Sequence, residues 1–253
     1  MSEEIYTLKN VPLFEAMYGT GLISLGGYEA VDDMFGGIVL ANKKLLDIGS
    51  GIGGMAHYLS EKYGAHVTGL EVHPWMAEYS KEKTPPAIKN KTAFIFYNKD
   101  GSIPLPSGSL DIVYSKGVLT NVKDKESLFK EVARILKSGG EIFLIDWLVP
   151  EENGPKYERL SLGDMSFKET KTSYGKMLKD CGFGNISFED KSALYLGYVK
   201  SLVRLLRSAE HRNQFSEVIE SDLREKIIQA ELNLQDSIEN KEQMSVLIRA
   251  STQ

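Results

Sequence analysis

Four glycines fall within the six residues Gly49-Ser50-Gly51-Ile52-Gly53-Gly54, directly after the apolar run and carboxylate of Leu46-Asp47-Ile48. Glycine has no Cβ, so the main chain can take positive φ there and approach a ligand closely. The helix expected to follow offers N–H groups without helical partners. A strand, such a loop and a helix in that order predict a nucleotide-like ligand lying on bare backbone. Gly49, Gly51 and Gly54 also satisfy the dinucleotide fingerprint G-x-G-x-x-G. Asp47 separates the two readings, because a carboxylate two residues before the first glycine would repel a pyrophosphate and suits a cationic ligand.

At 253 residues the chain is long enough for one large α/β domain with an elaboration, and 42% hydrophobic with 26% charged residues is ordinary for a globular protein. The net charge of −5 argues against nucleic acid, whose binding draws on concentrated basic charge. A small molecule is the expected partner; the oligomeric state is left open. Cys181 is the single cysteine, and MSEEIYTLKN has neither the basic start nor the apolar centre of a signal peptide, so the chain reads as cytoplasmic. No apolar run reaches the roughly 18 residues of a membrane span, which predicts no stable membrane insertion.

Residues 44–48 read as a short buried strand, and residues 53–63 as a helix through Met55, Tyr58 and Leu59 that Gly64 stops. Residues 66–72 form the next strand. Glu71 near its end lies 22 residues after Gly49, the distance at which βαβ nucleotide folds hold an acid against ribose hydroxyls. Pro74 opens a helix over 74–83, Pro85-Pro86 ends it, and residues 92–97 form a third strand leading to the turn pair Asp100-Gly101. Residues 110–114 are a fourth strand. Residues 123–136 are an amphipathic helix with Leu128, Val132, Ile135 and Leu136 on one face, Ser138-Gly139-Gly140 stops it, and residues 141–147 are strand five.

From Lys44 to Trp147 this order resembles the class I S-adenosylmethionine (SAM) methyltransferases. Their first motif, acid-x-Gly-x-Gly-x-Gly, is matched by Asp47, Gly49, Gly51 and Gly53; LDIVYSKG resembles the fourth motif, and LKSGGEIFLID repeats the family's helix, glycine turn and strand. The resemblance implies SAM as cofactor. It assigns Asp47, Gly49, Ser50, Gly51 and Gly53 to the glycine-loop contacts and Glu71 to the ribose with Val72 beside it. Asp100 and Gly101 fall to the adenine, and Lys116 completes the set.

Outside the core, Tyr6-Thr7, Met17-Tyr18-Gly19 and Ile23-Ser24-Leu25-Gly26-Gly27 resemble the N-terminal segment of the phosphoethanolamine N-methyltransferases, which implies a cap placing Tyr6, Ile23 and Ser24 over the cofactor. The helix of residues 173–183 and the strand of residues 186–190 recur in that group and in the sarcosine/dimethylglycine methyltransferases. MSVLIRAS, residues 244–251, would be the antiparallel last strand. The fold expected is a Rossmann-like, doubly wound seven-stranded α/β sheet in one methyltransferase domain. Its parts are a cap over 1–40, a SAM-binding core over 41–150 and substrate-side elements over 151–253. Two helical stretches, 193–215 and 216–239, form a lid before the last strand.

One departure bears on the chemistry. Where the phosphoethanolamine enzymes carry an aspartate and, four residues on, a histidine that works with the N-terminal tyrosine, this chain has Gly117 and Asn121. Asparagine cannot take a proton, so the catalytic candidates are Tyr6, Asn121 and Asp146, with water as a further acceptor. Tyr6, Phe14, Tyr18, Trp147, Tyr157 and Tyr174 could meet a methylated ammonium through their rings, or pack in the core. Lys200, Arg204 and Arg207 make a basic stripe that suits either a substrate phosphate or plain solvation. No histidine or cysteine spacing predicts a metal, and His57 and His73 are expected to be structural. The function expected is SAM-dependent methylation of a small amine, phosphoethanolamine-like or glycine-type. The alternatives are C- or O-methylation of a lipid-like ring, as in quinone or sterol methyltransferases, and SAM binding without transfer.

Overall fold

A computed structural model of the chain describes residues 6–98, 102–159 and 165–253. Among these, seven strands make one sheet: β1 Lys44–Ile48, β2 His66–Glu71, β3 Thr92–Phe96, β4 Leu110–Lys116, β5 Leu136–Leu148, β8 Phe183–Asp190 and β9 Met244–Thr252. Their order is β3-β2-β1-β4-β5-β9-β8. β3 through β5 pair in parallel, while β9 lies antiparallel between β5 and β8, with Leu144 opposite Ile248. The order reverses at β1, so β1 and β4 leave a crevice beyond their C-terminal ends, where open α/β sheets bind ligands. The glycine loop follows β1 directly. This is the sheet expected from the sequence, antiparallel last strand included.

The helices form where apolar spacing and end signals agree. α3, Gly54–Tyr63, starts after Gly53 at φ +87° and stops at Gly64 at φ +70°. α4, Pro74–Lys83, has proline in its first turn, where no N–H is needed. α5, Lys125–Ile135, is capped by Asp124 accepting from the Ser127 N–H at 3.0 Å and buries Phe129, Val132 and Ile135 at helical spacing. Leu136 does not extend α5; it pairs with Leu110, and the next pair is Ile112 with Glu141, so the expected Ser138-Gly139-Gly140 turn is a bulge inside β5. A two-stranded antiparallel unit, β6 Lys156–Arg159 and β7 Met165–Lys168, was not foreseen. α6, Lys171–Asp180, opens on a capping box between Thr170 and Ser173.

Cap and lid pack against each other. α1, Val11–Tyr18, and α2, Gly27–Met34, form the cap, and the Gly54 N–H donates to the Gly21 carbonyl at 3.0 Å. The lid is three helices rather than two: α7 Ser192–Arg207, α8 Ala209–Gln214 and α9 Ser221–Glu239. The break falls at Ser208, whose hydroxyl accepts from the His211 N–H and caps α8. Leu202, Val203 and Leu206 of α7 pack with Ile227 and Ile228 of α9 and with Leu13 and Ala16 of α1. His211 ties the three together: its Nε2 lies 2.8 Å from the Ala16 carbonyl and its Nδ1 2.8 Å from Arg224 Nη1. Among the described residues, no helix is long and apolar enough to cross a membrane.

Two glycines give opposite expectations. A Cβ on Gly54 would sit 2.0 Å from the Gly21 carbonyl oxygen, so Gly54→Ala should cost about 2 kcal/mol of unfolding free energy in urea titrations. Gly197, inside α7, has nothing within 4 Å of its would-be Cβ, and Gly197→Ala should stabilise by about 0.5 to 1 kcal/mol.

Candidate functional site

The loop after β1 has positions that only glycine satisfies. Gly49 and Gly51 take φ +75° and +55°, and a Cβ on them would meet the Val118 side chain at 2.4 Å and the Ile23 Cδ1 at 2.5 Å. Ile23 of the cap therefore lies directly on Gly51. At the end of β2 the Glu71 carboxylate, 4% exposed, accepts from the Gly51 N–H at 2.8 Å through one oxygen. Its other oxygen accepts from the Val72 and His73 N–H groups, at 2.8 and 3.0 Å. Three donors leave one of its lone-pair positions for a further hydrogen bond.

Asp47 sits at the C-terminal part of β1, opposite Tyr114 of β4, and is 2% exposed. Burial pushes its carboxyl from the usual 3.8 up to about 7; the Tyr114 hydroxyl and Lys116 pull against that, and Glu71 adds to it. Among the described residues, Asp47 Oδ2 and Ser50 Oγ are buried without a hydrogen-bond partner, and the Tyr114 hydroxyl faces the Asp47 carboxyl. Lys116 Nζ donates to Ser24 Oγ at 2.6 Å and to the Leu25 carbonyl at 2.7 Å, binding β4 to the cap. Burial lowers that ammonium to about 8, with Asp47 opposing. Tyr6 stacks on Phe14 at 5.7 Å and leans on His73 at 5.9 Å, and its carbonyl accepts from the Trp75 indole.

The expected site residues therefore divide. Tyr6, Ile23, Ser24, Asp47, Gly49, Ser50, Gly51, Gly53, Glu71, Val72 and Lys116 line one corner formed by β1, β2, β4 and the cap. Asp100, Gly101 and the Tyr157 side chain lie outside the described residues. Asn121 is exposed, at the end of the 3-10 turn Leu119–Asn121. Asp146, 2% exposed, lies behind that turn, accepting from the Thr120 hydroxyl and from the Trp147 N–H at 2.9 Å. Burial raises its carboxyl, and nearby Lys125 opposes that.

Tyr174 is fully buried against Phe129, a core role, whereas Trp147 meets Tyr195 edge-on under the lid. In the basic stripe Lys200 pairs with Glu239 at 2.7 Å, and Arg204 and Arg207 are exposed. His57 contacts Thr84 Oγ1 at 3.1 Å and packs on Phe94, away from the loop. Among the described residues no cluster could hold a metal ion. Sequence reasoning passed over Val118, which covers Gly49, and Tyr114, which faces Asp47; the strand pairing that brings Tyr114 across leaves no local signal.

The buried unpartnered oxygens of Asp47 and Ser50, the positive-φ backbone and the remaining acceptor position on Glu71 suit a ligand with an ammonium group at one end and hydroxyls further along. Residues 46–144 match a family model described as a methyltransferase domain. The chain is 30% identical over 211 residues to the phosphoethanolamine N-methyltransferase of Triticum aestivum, covering 81% of this chain and 40% of that protein. It is 29% identical over 176 residues to the glycine/sarcosine/dimethylglycine N-methyltransferase of Actinopolyspora halophila, covering 66% of this chain and 30% of that protein. The chain thus spans less than half the length of either relative. Among solved structures it resembles Haemonchus contortus phosphoethanolamine N-methyltransferase 2 in complex with phosphomonomethylethanolamine and S-adenosylhomocysteine. That match has a TM-score of 0.83 at 18% identity and covers 100% of this chain and 58% of that one.

The buried acid predicts a stability trade-off. Because folding raises the Asp47 value from 3.8 to about 7, the folded state holds the proton more tightly, and stability is lost as pH rises across that interval. Asp47→Asn removes the loss, so in thermal melts the variant's advantage over wild type should be absent near pH 4 and grow up to about pH 7.

Proposed function

We propose, from the match of residues 46–144 to the methyltransferase-domain model, that the chain is a SAM-dependent methyltransferase acting on a small-molecule amine. The observation that carries this reading is the Glu71 carboxylate fixed by three main-chain N–H groups beside a positive-φ glycine loop, with the unpartnered acid Asp47 at the loop's start. In this reading Asp47, Gly49, Ser50, Gly51 and Gly53 hold the amino-acid end of the cofactor, and Glu71 with Val72 holds the ribose. Asp100 and Gly101 take the adenine. Ile23, Ser24, Tyr6 and Lys116 close over it. We read cap, core and lid as one methyltransferase domain, on the strength of the Gly54–Gly21 bond and of β9 returning into the sheet. The one cysteine, Cys181, is a free and buried thiol, in keeping with a cytoplasmic setting.

When bound, the cofactor supplies an activated methyl group on a good leaving group. The protein's part is to hold the acceptor nitrogen in line, keep it neutral and exclude water. Ile23 and Val118 exclude water over the glycines. Tyr6, fixed between Phe14 and His73, is the group we assign to the acceptor: its phenol oxygen accepts a hydrogen bond from the amine while water carries the ammonium's proton to solvent. Asn121, with no proton to accept, offers hydrogen bonds only. Asp146 holds the Thr120–Asn121 turn through the Thr120 hydroxyl, and we assign it a positioning role.

A second reading is methylation of a lipid-like ring, favoured by the apolar lid of Leu202, Val203, Leu206, Ile227 and Ile228. SAM binding without transfer is a third, favoured by Gly117 and Asn121. Incubation with radiolabelled SAM and a panel of amines, phosphobases and quinone precursors separates the three. Glu71→Leu should weaken SAM binding by about a hundredfold in calorimetry while the far-ultraviolet spectrum stays that of the folded chain. Tyr6→Phe should lower kcat by about tenfold or more with SAM affinity nearly unchanged; equal turnover would remove Tyr6 from the chemistry.

A further inference from the structure

The first residue of α5 is a lysine in a place that disfavours one twice over. Lys125 is only 1% exposed, and it stands at the helix's N-terminal end, whose partial positive charge opposes a cation. A side chain that only filled space there would be apolar. Burial draws the Lys125 ammonium below its usual value, and the Asp146 and Glu169 carboxyls oppose that.

Its hydrogen bonds show what it holds. Lys125 Nζ donates to the Val122 carbonyl at 2.9 Å and to the Phe167 carbonyl at 2.6 Å. Val122 closes the turn that follows β4, and Phe167 belongs to β7. The turn is bonded within itself, since the Asn121 N–H donates to the Val118 carbonyl and the Val122 N–H to the Leu119 carbonyl, both at 2.9 Å. Its two ends are therefore one piece. At its start Val118 covers Gly49, close enough that a Cβ there would lie 2.4 Å from its side chain.

The sheet order places this turn between two neighbours. Because β4 lies between β1 and β5, the turn meets the glycine loop on its β1 side. On the β5 side it meets the β6–β7 unit, whose next residue along the chain, Glu169, accepts from the Val149 N–H at 3.0 Å. Asp146 holds the turn to β5 through the Thr120 hydroxyl. Lys125 adds β7 to that anchorage with a charged donor, the stronger kind of hydrogen bond.

We propose that Lys125 is a positioning residue: its ammonium ties β7 to the turn of residues 118–122 and, through that turn, seats Val118 on the glycine loop. The inference rests on the methyltransferase reading and adds to it a residue that acts on the cofactor site through Val118 alone. Filling the loop is then felt at β7.

The test uses the full chain, with S-adenosylhomocysteine affinity read by calorimetry and amide hydrogen exchange read by mass spectrometry. In wild type, S-adenosylhomocysteine should slow exchange by about fivefold or more in the glycine loop, in residues 118–122 and in β7. Lys125→Met, of similar length but without donors, should bind S-adenosylhomocysteine about tenfold more weakly. At saturation it should keep the loop's protection and lose that of β7. Val118→Ala should also weaken binding, and adding Lys125→Met to it should weaken it no further, because the contact through which Lys125 acts is already gone. Unslowed exchange in β7 of wild type overturns the inference, and that measurement decides even if the methionine variant does not fold. Unchanged affinity or undiminished β7 protection in Lys125→Met, or full additivity of the two substitutions, would overturn it as well while leaving the cofactor reading intact. Failure of S-adenosylhomocysteine to bind wild type would overturn both.

Discussion

One carboxylate organises the crevice. Glu71 accepts from the Gly51, Val72 and His73 N–H groups, so the glycine loop after β1 and the turn after β2 are held by the same two oxygens. Charge-assisted hydrogen bonds of this kind are about twice as strong as neutral ones, and three of them fix the loop without help from a ligand. Everything that lies on the loop inherits that position: Ile23 on Gly51, Val118 on Gly49, and Tyr6 against His73. The corner is thus shaped before any cofactor arrives, which lowers the ordering cost of binding.

Much of the fold is legible in the sequence because its signals are local. The parallel strands announce themselves as short apolar runs between glycine or proline stops, and α3, α4 and α6 lie within a few residues of where their spacing puts them. The misses have non-local causes. Leu136 continues the apolar face of α5, but pairing with Leu110 claims it for β5. No glycine or proline marks the lid's break at Ser208; a hydroxyl cap there competes with helix continuation and wins. β6 and β7 alternate charged and aromatic residues too briefly to stand out.

The site divides along the same line. Asp47, the glycines and Glu71 are readable because a strand end and a loop dictate their chemistry. Lys116 meeting Ser24 across 92 residues, or Asp146 meeting Thr120, follows only from how the sheet brings β4, β5 and the cap together. The buried acid Asp47 costs stability at neutral pH, the usual compromise between a ligand-ready site and a relaxed core.

The lid is strung between β8 and β9, and β9 is an interior strand bonded on both edges. Its helices form a long excursion that leaves the edge strand β8 and returns into the interior strand β9, and the Lys191–Asp33 ion pair at 2.9 Å pins its start to the cap. Only its first turns, through Tyr195 and Tyr198, pack with the core cluster that holds Leu45 of β1 and Tyr114 of β4. Such an arrangement lets a lineage vary the far end of the excursion while the glycine-loop corner stays constant, so divergence among relatives should concentrate beyond the first turns of α7, towards residue 239.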